Sequence, residues 1–454
     1  MSAIGLPHRR VAPSGAVLAR RQFWGVILFV LLLVGFHTRL NFYSIPYSFA
    51  IMVATAILLL YFDKVPLDIV RWCLAISAVG LVSMIVASGG SLGDLKSRIP
   101  SYAYLNASLY VGGAGFLLVR TLPRRTVERV VLTCLIVLLV GALLEQILSP
   151  LRDLTTHYAG WVRPNNPYDA FIRDAEMTSI GVPRPMFFSP EPSDVAKSAA
   201  LLIILWYLYA ENRAKLLIAA MSTLAGIVII RSPSVGIAIV GLASAAVAQN
   251  IRSMRRENIP LHTVLLPLIA VAVGAAFILV FMVYFYRDRV QGILAGTDGS
   301  VLVRLVIPSF LSYEVLRYEP LFGAGVGARD QLATLMYNLL VYFHVDYLKS
   351  MINHDTITTA MGNAFCEMLI VTGLVGSIAI TTILNRVRRS LSDVPWLFYF
   401  PTILAYWLLT GGFAAVGIWC PTFLLLAPGR MREDARIPSD RPQAGSDWAV
   451  YAQS

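Results

Sequence analysis

Apolar stretches of about 16–24 residues recur along this chain from one terminus toward the other. A helix rises about 1.5 Å per residue, so each stretch approaches the roughly 30 Å hydrocarbon core of a bilayer. The residue balance agrees. Hydrophobic residues make up 57% of the chain and charged residues 14%, with mean hydropathy +0.69, whereas a soluble domain carries about 25% charged residues. The expected fold is an all-α, polytopic integral membrane protein. In such a chain Lys and Arg set topology, so the net charge of +11 does not point to a nucleic-acid partner.

Twelve spans are expected, at 22–38, 46–62, 69–89, 101–120, 127–148, 195–210, 215–231, 234–249, 262–285, 359–384, 395–409 and 411–427. The closely spaced pairs 215–231/234–249 and 395–409/411–427 read as tight helical hairpins. The first apolar run follows Arg pairs but lacks a cleavage site, which predicts an uncleaved span. Basic residues gather on alternate connections: Arg9, Arg10, Arg20 and Arg21, then Arg120, Arg124, Arg125 and Arg129, then Arg252, Arg255 and Arg256, and so on to the C-terminal tail. The short opposite loops carry only Arg39, Lys96, Arg98 and Arg231. The excess of positive charge on one side predicts cytoplasmic termini. The resulting plan is a cytoplasmic segment 1–21, five spans in 22–148, a large outer loop 149–194, four spans in 195–285, a second large outer loop 286–358, three spans in 359–427 and a polar tail 428–454. Loops this long are uncommon unless they carry structure or function, and both are expected to be ordered. The second contains "VLVRLVIPSFLSYEVLRYE", an amphipathic helix with a kink expected at Pro308. "LYVGGAGFLLV" offers small residues for close helix packing.

The outer segments hold the candidate chemistry. In "RPMFFSPEPSDVAKSA", Arg184, Glu191, Asp194 and Lys197 precede or enter a span. Ser193 or Asp194 is expected to cap a helix starting near Val195, and a helix N-terminus favours an anion. In "IIRSPSVGIAIVGL", Arg231 sits at a tight connection between spans. In "LFGAGVGA", three glycines alternate. They read as a flexible turn, since no strand–helix context supports a nucleotide site. In "NHDTITTAMGNAFCEMLIVTGLVG", His354 precedes a span, and Asn363 and Glu367 share one helical face within it. A buried Glu367 needs a partner or water. His354 titrates near neutral pH, as a general base should. The four cysteines show no CxxC or Cys/His spacing. No metal or other cofactor is therefore expected.

Taken in order, "RPMFFSPEPSDVA", "IIRSPSVGIAIVGL", "PLFGAGVGA" and "HD…GNAFCEMLIVTGLVG" resemble the motifs of the O-antigen polymerase (Wzy-type) and O-antigen ligase superfamily, most like its exopolysaccharide polymerases. The motif resemblance covers about residues 184–376. It implies a glycosyltransferase that joins oligosaccharide repeat units carried on undecaprenyl pyrophosphate at the outer face of the bacterial inner (cytoplasmic) membrane, with polyprenyl pyrophosphate leaving. It implies no nucleotide sugar and no metal. Its partners would be the lipid-linked oligosaccharide, membrane lipid, a chain-length regulator (Wzz/Wzc-like) and a flippase. By resemblance Arg184 and Arg304 hold pyrophosphate, with Arg231 a further candidate. His354 activates the acceptor hydroxyl and Glu191 stabilises the site, beside Ser193, Asn363 and Glu367. One departure stands out: the asparagine follows His354 by nine residues rather than directly. Two rival readings remain: a ligase with the same chemistry and a different acceptor, and a transporter or flippase. Against the transporter, the polar residues concentrate outside rather than at mid-membrane.

Overall fold

The computed structural model describes residues 15–42, 47–89, 91–162, 183–212, 214–257, 302–343 and 362–428. The expected span 262–285, His354 and the tail from 429 lie outside the described residues. What is described is helical: α1 (Gly15–Thr38), α2 (Ser48–Leu60), α3 (Leu67–Ala87), α4 (Leu92–Thr121), α5 (Arg124–Ile147), α6 (Ser149–Val162), α7 (Pro192–Tyr209), α8 (Lys215–Ile230), α9 (Gly236–Glu257), α10 (Ile307–Tyr318), α11 (Arg329–Tyr342), α12 (Ala364–Leu391), α13 (Trp396–Leu408) and α14 (Val416–Leu424). There is no strand among the described residues. Five helices are long and apolar enough to cross a membrane: α1 from Ala19, α3, α4, α5 and α12. α2, α8, α13 and parts of α9 and α11 are shorter apolar helices. The architecture is that of a helical membrane protein.

α4 carries the small-residue run, and it packs as that run predicts. A Cβ on Gly112 would stand 2.8 Å from the Trp419 carbonyl oxygen of α14. One on Gly115 would meet Leu32 and Leu424 at 3.2 and 3.3 Å. The aromatic side chains of Trp407, Phe413 and Trp419 stack edge-on beside this contact. On α5, Ile136, Val137, Val140 and Leu143 are exposed. In a bilayer such a face meets lipid tails, which are as apolar as the core itself.

Polar contacts gather at two ends of the bundle. At one, Arg21 donates to the Leu60 carbonyl at 2.9 Å and pairs with Asp63. There too Arg124 donates to the Tyr209 carbonyl at 2.8 Å. At the other, Tyr158 of α6 donates to the Thr38 carbonyl at 3.1 Å, and Arg231 to the Pro183 carbonyl at 3.0 Å. Chain starts and ends therefore alternate between the two ends, as a serpentine of spans requires. The second end is the one the charge pattern of the sequence predicts to be outer.

Both segments read from the sequence as long loops contain helices where they are described: α6 in the first, α10 and α11 in the second. Near Pro308 the backbone passes from a wide turn, Leu302–Val306, into α10. The proline lies at the start of the α-helical part, where its missing N–H costs no intrahelical bond.

The glycine-rich segment differs from its sequence reading as a flexible turn. Gly323, Gly325 and Gly327 all have positive φ, at 65°, 81° and 83°. They thread the backbone through a break in α12 at Gly373, where φ is 63° and ψ −168°. Ala324 N–H donates to the Ile370 carbonyl at 2.8 Å. Leu374 N–H and Val375 N–H donate to the Pro320 and Leu321 carbonyls at 2.9 and 3.1 Å. Arg98 of α4 closes over this crossing, donating to the Ala324 carbonyl at 2.6 Å. The glycines serve a backbone crossing, and their freedom is what lets two main chains touch.

Candidate functional site

The segment before α7 fixes the site. α7 begins at Pro192, three residues earlier than the sequence reading places it, because proline suits the first helical position. Glu191 stands at the N-cap without a side-chain capping bond, so neither Ser193 nor Asp194 caps this helix. Ser193 instead donates to Glu191 Oε2 at 2.9 Å. Asp194 and Lys197, one turn apart, both point into the bundle, 4% and 7% exposed. Their burial in a helix otherwise built of Ala, Leu and Ile demands compensation.

Arg39 supplies it. It follows α1 in a left-handed conformation, φ 50°, and its Nη2 reaches Asp194 Oδ1 at 2.5 Å. Lys197 Nζ reaches the same oxygen at 3.1 Å. Burial works against the Arg39 charge, but the attraction of Asp194, Tyr47 and Glu191 outweighs it and holds the guanidinium firmly protonated. Arg304 and Glu191 lie within electrostatic reach of Lys197. The Arg304 stem rests on Gly362, where a Cβ would stand 2.5 Å from Cγ. Arg39 and Lys197, from chain-distant segments, thus meet at Asp194, and Arg304 lies within electrostatic reach of Lys197. A narrow polar cavity adjoins them, lined by Arg39, Tyr47, Asp194, Lys197, Tyr406 and Thr410. Beside it a groove of about 370 Å³ runs between α1, α5 and α7, from Arg129 to His37 and Ser198. Its walls are Val30, Leu33, Val34, Val137, Leu138 and other apolar residues. No protein-family model matches this chain, and no curated protein does either.

The remaining sequence candidates fall into two groups. Arg184 is half-buried on the turn that leads to α7. That turn is fixed by Arg231, which holds the Pro183 carbonyl, and by Glu145, which accepts from Met186 and Phe187 N–H at 3.1 and 2.6 Å. Arg231 therefore braces the turn, in the left-handed position that ends α8. Asn363 and Glu367 do not enter the cluster. Asn363 caps α12, accepting from Cys366 N–H at 3.0 Å. Glu367 accepts from Gly412 and Phe413 N–H at 2.8 and 2.7 Å. It thereby holds the segment that carries Thr410 to the cavity wall. Both side chains are spent on backbone donors, which is how a buried acid in an apolar helix is satisfied.

Arg39, His37 and Glu145 are the residues the sequence reading misses. Arg39 counts there only as one of the sparse outer charges, and its partner lies 155 positions away. No group of three or more His, Cys, Asp or Glu side chains placed to hold a metal ion occurs among the described residues.

Proposed function

We propose that the protein is a membrane glycosyltransferase that polymerises lipid-pyrophosphate-linked oligosaccharide repeat units on the outer face of a bacterial cytoplasmic membrane. One observation carries the reading: Arg39 and Lys197 meet at Asp194, with Arg304 within electrostatic reach of Lys197, beside an apolar groove. An amphiphile with a polyanionic head and a long apolar tail matches both halves. Arginine makes forked contacts to phosphate oxygens. Fixed cations stabilise the charge that grows on pyrophosphate as its bond to the sugar breaks. Arg184 adds a further guanidinium from the turn before α7. No nucleotide sugar and no cofactor takes part, and His354 is the base assigned by resemblance.

A ligase would use the same head and groove with another acceptor. The transporter reading draws on one feature, the broken helix α12, because interrupted helices form transporter sites. Here the freed groups next to the break, the Ile370 carbonyl and the Leu374 and Val375 N–H groups, bond the glycine-rich segment. That leaves them no role as ion ligands, which favours the enzyme.

Profiling lipid-linked glycans in cells lacking the protein tests the reading. Accumulated single repeat units are expected. Full-length lipid-linked polymer would indicate a ligase instead, and an unchanged profile would remove both enzyme readings.

A further inference from the structure

The polar cavity and the apolar groove share two wall residues, Phe36 and Ser198. Ser198 is 4% exposed and lies one turn beyond Asp194. Its Oγ is 3.1 Å from Nδ1 of His37, in the last turn of α1. The other ring nitrogen, Nε2, is 2.7 Å from the Phe187 carbonyl oxygen. A carbonyl only accepts, so Nε2 carries the hydrogen and Nδ1 of the neutral ring is bare. Ser198 therefore donates to Nδ1, and its own lone pairs remain for a group on the cavity side.

The carbonyl that sets this tautomer is itself held in place. Phe187 and Phe188 have positive φ, 33° and 58°, a conformation unfavourable for aromatic residues. Glu145 pins the turn through Met186 and Phe187 N–H. The Phe187 ring occupies the space over Gly141, where a Cβ would stand 2.0 Å from the ring. Such strain persists only where surrounding structure enforces it, and here it aims one carbonyl at one imidazole.

On the cavity side, Asp194 Oδ2, Tyr406 Oη and Thr410 Oγ1 are buried with no hydrogen-bond partner among the described residues. Buried polar atoms are normally satisfied. The space they border has room for about one water-sized group. A hydroxyl seated there accepts from Tyr406 Oη and Thr410 Oγ1, and its one proton lies between Asp194 Oδ2 and Ser198 Oγ.

We infer that Ser198 and His37 form a proton relay for a hydroxyl group seated in this cavity. The inference rests on the glycan-transfer reading, in which that hydroxyl belongs to the acceptor sugar, and it puts the Ser198–His37 pair in the role of base that the resemblance gives to His354. The acceptor proton passes to Ser198 Oγ as Ser198 passes its own to His37 Nδ1. The acceptor oxygen bonds to the anomeric carbon while that carbon's bond to the phosphate oxygen breaks. The bonding electrons leave with polyprenyl pyrophosphate, and the imidazolium later releases its extra proton to water. Ser198 is the catalytic residue of this pair, and His37 is a positioning residue acting through it. Of the charged groups around the pair, Asp194 acts on His37 electrostatically, Arg39 and Lys197 line the cavity with Ser198, Glu145 on α5 holds the Phe187 turn, and Arg129 lines the same groove as His37.

The test uses the full-length protein in lipid vesicles, supplied with the lipid-linked repeat units extracted from cells that lack it. His37→Gln keeps a donor for the Phe187 carbonyl but has no basic nitrogen. In His37→Gln and in Ser198→Ala, kcat is expected to fall about 100-fold or more. KM is expected to hold, and the acid limb of the rate–pH profile to disappear. Unchanged kcat and pH profiles in both variants overturn the relay while leaving the glycan-transfer reading intact. Absence of polymer with the wild-type protein overturns that reading and the relay with it. Nitrogen NMR of ¹⁵N-histidine-labelled wild type provides a readout independent of activity. The resonance that moves in Ser198→Ala is expected to show Nε2 protonated and Nδ1 bare, and the opposite tautomer overturns the relay.

Discussion

Asp194→Ala is expected to destabilise the folded protein by about 3–5 kcal/mol, the cost of stranding buried charge. Asp194 is 4% exposed, and its one bonded oxygen serves both Arg39 and Lys197. Removing the carboxylate leaves two buried cations without the counter-charge they are bonded to. The matched control is Asp63→Ala at the opposite end. That carboxylate also pairs with an arginine, Arg21, but its side chain is 59% exposed, so water and salt screen the pair and its loss should cost below about 1 kcal/mol. Thermal unfolding in detergent measures both. Similar small shifts would show that burial does not govern the Asp194 cluster. Replacing Arg39, Asp194 and Lys197 together with Met, Leu and Met extends the comparison. A fully apolar core can match a buried ion cluster in stability, so this variant is expected to fold and to make no polymer.

Gly373→Ala is expected to cost about as much, roughly 3–5 kcal/mol, for a different reason. At φ 63° and ψ −168° the residue occupies backbone space that only glycine enters freely. An added Cβ would also stand 2.5 Å from the Leu321 carbonyl group and 2.6 Å from Gly323 N. These are main-chain atoms of the crossing segment, so no side chain can swing aside. Gly160→Ala on α6 is the control, since nothing lies within 4 Å of its added Cβ. It is expected to be neutral or slightly stabilising. Equal unfolding midpoints for the two variants would contradict the crossing.

Much of the fold was legible because one physical variable, hydropathy, dominates a membrane chain. The close approach at Gly112 and Gly115 was readable too, since small residues in an apolar run have few other uses. Span limits were less readable. α14 covers only Val416–Leu424 where the apolar run suggested 411–427, because hydropathy does not register the turns that flank a short helix. The site was readable only in part. Asp194 and Lys197 announce themselves as charges inside an apolar helix. Arg39 and His37 do not, because what makes them important is contact with residues about 150 positions later. Asn363 and Glu367 share a face, as their spacing predicts, yet spacing does not reveal that backbone N–H groups already occupy them. The glycine-rich segment misled for a similar reason: its positive φ values serve a crossing with α12 that local sequence cannot encode.

The central claim is that an outer cluster of basic side chains handles a lipid pyrophosphate during glycan transfer. The most direct test is to compare wild type with Arg184→Ala and Lys197→Met in vesicles carrying lipid-linked repeat units, following polymer length and released polyprenyl pyrophosphate together. Wild type is expected to lengthen glycan and release one polyprenyl pyrophosphate for each unit joined, while both variants, folded and inserted, leave the single units unjoined. Normal polymer from both variants, or lengthening without pyrophosphate release, would contradict the account.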